Sequence, residues 1–253
     1  MTDIKGSVAL VTGGNRGIGE GFVRTLVAAG ASKVYCGARN PDDAKHLVDE
    51  FGGAVVALKL DVTDESQIEA AAKEATDVNI VINNAGAFLH GLLIGSPDIS
   101  KARMEMEVNY FGVLNMSRAF APVLKANGGG AIVNVLSAGG IVAVPNMGGY
   151  SPSKFAARAA STIIRAELAD QGTHVAALIV GSVDTRMAEH VEGAKERPED
   201  IAKVGLTAIK HKLDELDTDA MAVQVRANIQ RDPKWLERQM ARGLKAGKVS
   251  TGR

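Results

Sequence analysis

A single cysteine, Cys36, in 253 residues excludes an intrachain disulfide and a multi-cysteine metal site, and suits a reducing compartment. Neither charge is in excess: 29 basic residues meet 29 acidic ones. That balance argues against a surface built to coat nucleic acid or an anionic membrane. No run reaches the ~18 uninterrupted apolar residues of a spanning helix. The opening MTDIKGSVALVTGG carries too little positive charge and too short an apolar run for a secretory signal, so the expected location is the cytoplasm. Five histidines (His46, His90, His174, His190, His211) are scattered without an HExxH pair, and no metal site is expected. Proline is scarce at 7, and the 28 glycines follow no Gly-X-Y period. Glycine is nevertheless above its usual share of about 7%.

What is present alternates. Short β-branched runs predict strands over 8–11, 33–36, 55–60, 79–82, 131–136 and 173–180. Ala-rich amphipathic stretches predict helices over 17–29, 65–75, 102–125 and 150–170. This is the pattern of an α/β fold, a Rossmann-type doubly wound parallel sheet covered by helices. No linker or repeat divides the chain, so one domain over 1–253 is expected. Within it, 181–215 reads as a substrate loop or lid region and 216–253 as C-terminal helices and a tail. The charged stretch 184–200 reads as a mobile loop or short helices, and 201–213 is amphipathic. Helices are expected over 219–229 and 233–244, the second with Pro233 at its start and Trp235 as its apolar anchor. No strand is expected after Val180, and the tail 245–253 is expected to fray.

The most specific local feature is Thr12-Gly13-Gly14-Asn15-Arg16-Gly17-Ile18-Gly19, which follows a strand and opens a helix. Glycines there let backbone approach a diphosphate, and free N–H groups at the helix start favour its charge. No GK[ST] follows, so a Walker-type triphosphatase is not indicated. Further along stand Asn83-Asn84-Ala85-Gly86, then Ser137, then Tyr150-Ser-Pro-Ser-Lys154. Together, in this order and context, these elements resemble the short-chain dehydrogenase/reductase family over about residues 5–187. The resemblance implies an oxidoreductase that moves a hydride between a nicotinamide dinucleotide and a carbonyl or alcohol carbon.

The expected cofactor is NADP(H) in preference to NAD(H). Dinucleotide folds place an acid, or alternatively an arginine, at the end of the second strand. Here Val34-Tyr35-Cys36-Gly37-Ala38-Arg39 ends without an acid, and Arg39 with Arg16 can meet a 2′-phosphate. By resemblance, Asp61 and Val62 flank the adenine, and Asn83, Ala85 and Gly86 pass near the adenosine ribose while bracing the sheet. Thr185, with Val183 before it, resembles the residue that bonds the carboxamide. The stretch departs from the family's usual Pro-Gly start, since Val180 stands in place of the proline.

Tyr150 and Lys154, four apart at a helix start, share a face. A phenol titrates near 10, and an adjacent ammonium favours its anion. Ser137 can donate to a carbonyl or alcoholate oxygen. The resemblance assigns Tyr150 as acid/base, Lys154 to ribose hydroxyls, and Asn109 to a water relay. Phe88, His90, Ile141, Met147 and Met187, with Ser137, are the expected pocket, which suits a small, mainly hydrophobic ketone or alcohol. Glu189, His190 and Glu192 lie on the segment expected to close over it. A homodimer or homotetramer is implied, packed through helices 102–125 and 150–170, with no nucleic-acid or membrane partner. Two other readings stand beside this one: a catalytically silent dinucleotide-binding regulator or scaffold, and a dehalogenase-like relative. Such a dehalogenase carries Arg at the lysine position and lacks the glycine loop, whereas Lys154 and TGGNRGIG are both present.

Overall fold

A computed structural model describes residues 3–189 and 193–245. Its strands are β1 (Val8–Thr12), β2 (Lys33–Ala38), β3 (Val55–Lys59), β4 (Ile80–Asn83), β5 (Gly130–Val135), β6 (Thr173–Ile179) and β7 (Glu215–Asp217). They form one sheet in the order β3-β2-β1-β4-β5-β6-β7, every pairing parallel. The helices are α1 (Gly17–Ala28), α2 (Lys45–Phe51), α3 (Glu65–Glu74), α4 (Ser100–Met106), α5 (Gly112–Ala126), α6 (Tyr150–Glu167), α7 (Pro198–His211), α8 (Ala220–Arg231) and α9 (Pro233–Lys245). This is the expected Rossmann-type sheet with helices on both faces and a helical C-terminal extension.

Alternation along the buried strands sorts the core into two layers. Ala9, Val11, Ile80 and Ile82 face Phe22 and Leu26 of α1, Leu47 of α2 and Ile201 and Ile209 of α7. Leu10, Val81 and Ile132 face Ile68 of α3, Met116, Phe120 and Leu124 of α5, and Ile164 of α6. The chain crosses from β3 at one edge back to β4 beside β1. Strand order therefore reverses between β1 and β4, which opens a crevice at their carboxyl ends. No helix among the described residues is long and apolar enough to cross a membrane.

Four expectations need correction. A seventh strand exists: Glu215–Asp217 pairs with β6 in the register Ala177↔Glu215. Its residues, Glu-Leu-Asp, show no apolar run because ion pairs secure its flanking carboxylates, Glu215 to Arg158 and Arg226, and Asp217 to Arg226. The helix expected over 102–125 is two helices joined by a wider π turn, Glu107–Phe111. Helix α2 was not foreseen. In α9, Leu236 is buried and Trp235 is half exposed, because Pro233 opens the helix under an Asp232 cap that accepts from the Trp235 N–H. Within 184–200, a short 3₁₀ turn, Arg186–Ala188, precedes a bridge between Val183 and Glu196, and α7 begins at Pro198. His190 and Glu192 lie outside the described residues, as does the tail beyond Lys245.

Candidate active site

The glycine loop joins β1 to α1, and its shape follows from what a side chain would strike. At Gly19 a Cβ would fall 2.1 Å from the Gly13 carbonyl oxygen, so only glycine lets the loop fold onto the helix. Gly17 has φ +55, and its open side is closed by the Thr185 methyl, 3.2 Å from where a Cβ would sit. Thr12 and Asn84 pin the loop. The Thr12 hydroxyl accepts from the Asn84 and Ala85 N–H groups at 2.9 Å. Asn84 Nδ2 donates to the Thr12 and Gly13 carbonyls at 2.9 and 3.1 Å. Arg16 stands at the N-cap of α1 without a side-chain cap, so the amides that open the helix, at Gly17, Ile18 and Gly19, are left for an anion. Beneath the loop, burial pushes the Cys36 thiol up to about 12, which makes it inert.

Arg39 follows β2 and is exposed, as is Arg16, and among the described residues neither is held in an ion pair. Asp61 Oδ1 accepts from the Thr63 amide and hydroxyl at 3.0 and 2.8 Å, which fixes the carboxylate at the end of β3. Val62 is buried against Gly112 of α5. The Asn83 side chain points into the core, where Nδ2 donates to Asn134 Oδ1 at 2.9 Å. Asn134 continues the ladder to Ser161 at 2.8 Å. Asn83 thus braces the sheet, while Asn84, through its side chain and backbone, and the Ala85 amide hold the glycine loop.

At the other side of the crevice, Ser137 caps the turn Ala138–Gly140, accepting from the Gly139 N–H at 3.1 Å. Tyr150, the first residue of α6, is buried, with its phenol near enough to the Ser137 hydroxyl for that group to favour the phenolate. Lys154 lies one turn on, with Nζ 5.7 Å from the Tyr150 ring centre, and donates to the Val135 carbonyl at 2.9 Å. Asn109 sits in the π turn, which frees its side chain to grip another segment. Its Oδ1 accepts from the Ala87 N–H at 2.8 Å, and its Nδ2 donates to the Ala87 carbonyl and the Ser153 hydroxyl, both at 2.9 Å. A Cβ on Gly86 would approach Asn109 Oδ1 and Lys154 Nζ to 3.3 and 3.7 Å, so Gly86 lies over this group.

Burial dominates the electrostatics of the reacting pair in the chain alone. Burial raises the Tyr150 pKa; the Ser137 hydrogen bond opposes this and the Glu105 charge adds to it. Lys154 was expected to lower that pKa together with a positive nicotinamide ring; in the chain by itself the ammonium is pushed down to about 8 by burial. In the chain alone, desolvation outweighs charge pairing, and the phenol is neutral at pH 7.

Of the expected pocket residues, Phe88 lies with its ring centre 4.7 Å from that of Tyr150, and His90 stacks on Phe88 at 3.9 Å. Met147 bridges to Gly91, and its sulfur comes close to Gly139 beside Ser137. Met187 is half exposed on the turn after Thr185. Ile141 is instead packed in a core cluster with Leu136, Ala157 and Ala222 of α8. Val183 is buried, and Glu189 is exposed. Sequence reasoning missed two residues. Asn84 lies inside the quoted NNAG run but was not separated from Asn83. Glu105 is a carboxylate only 2% exposed, four residues before Asn109. That spacing, which puts both on one face, was the only signal.

A family described as short chain dehydrogenase matches residues 7–196. Oxidoreductase BOA17 of Botryotinia fuckeliana is 32% identical over 183 residues, 70% of this chain; the chain spans just under two thirds of that protein, 66%. A 3-alpha-(or 20-beta)-hydroxysteroid dehydrogenase of Mycobacterium tuberculosis is 34% identical over 205 residues, 79% of this chain and 76% of that protein. Among solved structures, a short chain dehydrogenase from Burkholderia cenocepacia in complex with NADP superposes with a TM-score of 0.89 at 39% identity, covering 95% of this chain and 99% of that one.

Proposed function

The chain belongs to the short chain dehydrogenase family, and from that premise we propose that it is a nicotinamide-dependent oxidoreductase interconverting a small, mainly hydrophobic ketone or aldehyde and its alcohol. The observation that carries this reading is the convergence of Ser137, Tyr150 and Lys154 at one sheet edge, across from a glycine loop whose helix start has no side-chain cap.

The residues present fit a dinucleotide. The tight loop of Gly13, Asn15, Gly17, Ile18 and Gly19 leaves backbone N–H groups for the diphosphate. Asp61 and Val62 would flank the adenine, Ala85 and Gly86 the ribose, and Val183 and Thr185 the carboxamide. Lys154 would hold the second ribose. When bound, the dinucleotide supplies or takes up the hydride. Ser137 and Tyr150 grip the substrate oxygen, and Tyr150 gives its proton to that oxygen in reduction or takes one in oxidation. Its raised pKa keeps it in the proton-donating form at neutral pH. The Asn109 side chain is already engaged by Ala87 and Ser153, so it positions the segment beside the water relay proposed for Lys154.

NADP(H) is the proposed cofactor. Arg16 and Arg39 stand exposed at the crevice with no acid at the end of β2, and the related Burkholderia structure holds NADP. The hydroxysteroid dehydrogenase relative and the apolar Phe88 and Met147 support a hydrophobic substrate. Exposed Met104, Phe111, Phe155 and Ile163 on α4, the π turn and α6 support a dimer or tetramer through those helices; the proposed location is the cytoplasm. A panel of hydrophobic ketones is offered with NADPH and with NADH while light scattering reads the assembly. Oxidation of NADPH by at least one ketone, in a sample heavier than a monomer, is expected. No turnover with either dinucleotide contradicts the enzyme reading, and a monomer contradicts the assembly.

A further inference from the structure

Glu105 is the one buried side chain of α4, and among the described residues no cation lies within ion-pair distance of it. A buried carboxylate without a cation is unfavourable unless hydrogen bonds replace water. Here backbone does so. The Leu89 N–H donates to Oε1 at 2.7 Å, and the Gly149 backbone lies close beside Oε2, where it favours the carboxylate more weakly. Gly149 permits this approach: a Cβ there would lie 2.4 Å from Ala102 Cα and 2.8 Å from Glu105 Oε2. Leu89 follows Phe88, and Gly149 precedes Tyr150, the two rings that meet at 4.7 Å. The same two loops are joined next to this point, where the Gly148 N–H donates to the Gly91 carbonyl at 3.1 Å.

We propose that Glu105 is a positioning residue for the reaction: one buried carboxylate ties the loop after β4 to the backbone just before Tyr150, and so fixes the phenol against Phe88 and the substrate wall. This rests on the oxidoreductase reading of the same site. Only an acceptor with two oxygens suits the place. A glutamine of equal length accepts from one N–H and turns an NH₂ toward the other. The charge acts as well, since Glu105 adds to the raised pKa of Tyr150. The groups facing Glu105 are Lys101 on its own helix, Asp98 before it, His90 on the loop and Tyr150 on α6.

The test is Glu105→Gln in the full chain, assayed with a ketone and alcohol pair from the panel. Dinucleotide affinity is expected within about threefold of wild type. KM for the carbonyl should rise about tenfold or more as the wall loosens. The acid limb of the oxidation pH profile, where the phenol must first lose its proton, should move to lower pH, because the charge opposing the phenolate is gone. A residue that only supports the helix would lower thermal stability and leave KM and the limb in place. That result, or KM and the limb both unchanged in a stable variant, overturns the proposal. Should the variant not fold, hydrogen exchange on the wild-type protein reads the tie. The Leu89 and Gly149 amides are expected to be protected about a hundredfold at pH 7 and to lose that protection together as acid neutralises the carboxylate. Free exchange at Leu89 overturns the proposal. If the wild-type protein reduces no carbonyl, the functional reading falls while the exchange experiment still judges the tie.

Discussion

Lys154 holds a cation in a place that resists it. Burial pushes its ammonium down to about 8 from an ordinary 10.5, so the folded chain releases that proton more readily than the unfolded one. Stability rises with pH wherever the unfolded state binds more protons. The cofactor-free protein should therefore gain stability between about pH 8 and 10.5, by up to about 1.4 kcal/mol per pH unit from this group. Lys154→Met lacks that component, so the melting temperature of the wild type should rise steadily relative to that of the variant across the window. A constant difference would mean that the lysine is not desolvated as its position implies. The opposing shift at Tyr150, upward through burial, places the two groups out of step in the chain alone. A cation bound beside the phenol would pull its pKa back down.

Secondary elements place these groups, and the short charged ones were hardest to foresee. Strand β7 extends the sheet by three residues, and its flanking carboxylates are anchored by Arg158 and Arg226. Arg226→Ala should cost about 1–2 kcal/mol, read as a lower urea midpoint, because half-buried Asp217 loses a two-pronged partner. Dinucleotide affinity should not change; an unaltered midpoint would remove the arginine from the account of this edge. Six strands, and the covering helices apart from α2, were legible because buried parallel strands read as apolar runs and the helices as amphipathic stretches, as Val8 to Val11 and Ala131 to Leu136 do for the strands. Strand β7 was not, since ion pairing with distant residues makes Glu215 and Asp217 tolerable there. The π turn at Asn109 was equally hidden, because nothing in Glu-Val-Asn-Tyr-Phe breaks a helical pattern. Ser137, Tyr150, Lys154 and the glycine loop stood out as candidates through their order, spacing and the family resemblance these carry. Glu105 could not, since a glutamate in a helix reads as solvated until the Leu89 amide is seen to need it.

At the scale of the molecule, a net charge of zero conceals a local asymmetry. Arg16 and Arg39 stand exposed on the crevice rim. Replacing both with alanine should weaken NADPH binding at least about tenfold while changing NADH binding little, since the two dinucleotides differ only by the 2′-phosphate. Equal losses for both cofactors would remove the phosphate role. The glycine excess likewise resolves into places where backbone must pass close to backbone, at Gly19 in the loop and Gly149 before Tyr150. The central claim is that Tyr150 moves the proton on a site otherwise complete. Its most direct test is ketone-dependent NADPH oxidation by Tyr150→Phe, with NADPH affinity measured on the same sample. The account predicts turnover lower by about a thousandfold or more with affinity nearly intact; turnover within about tenfold of wild type would contradict it.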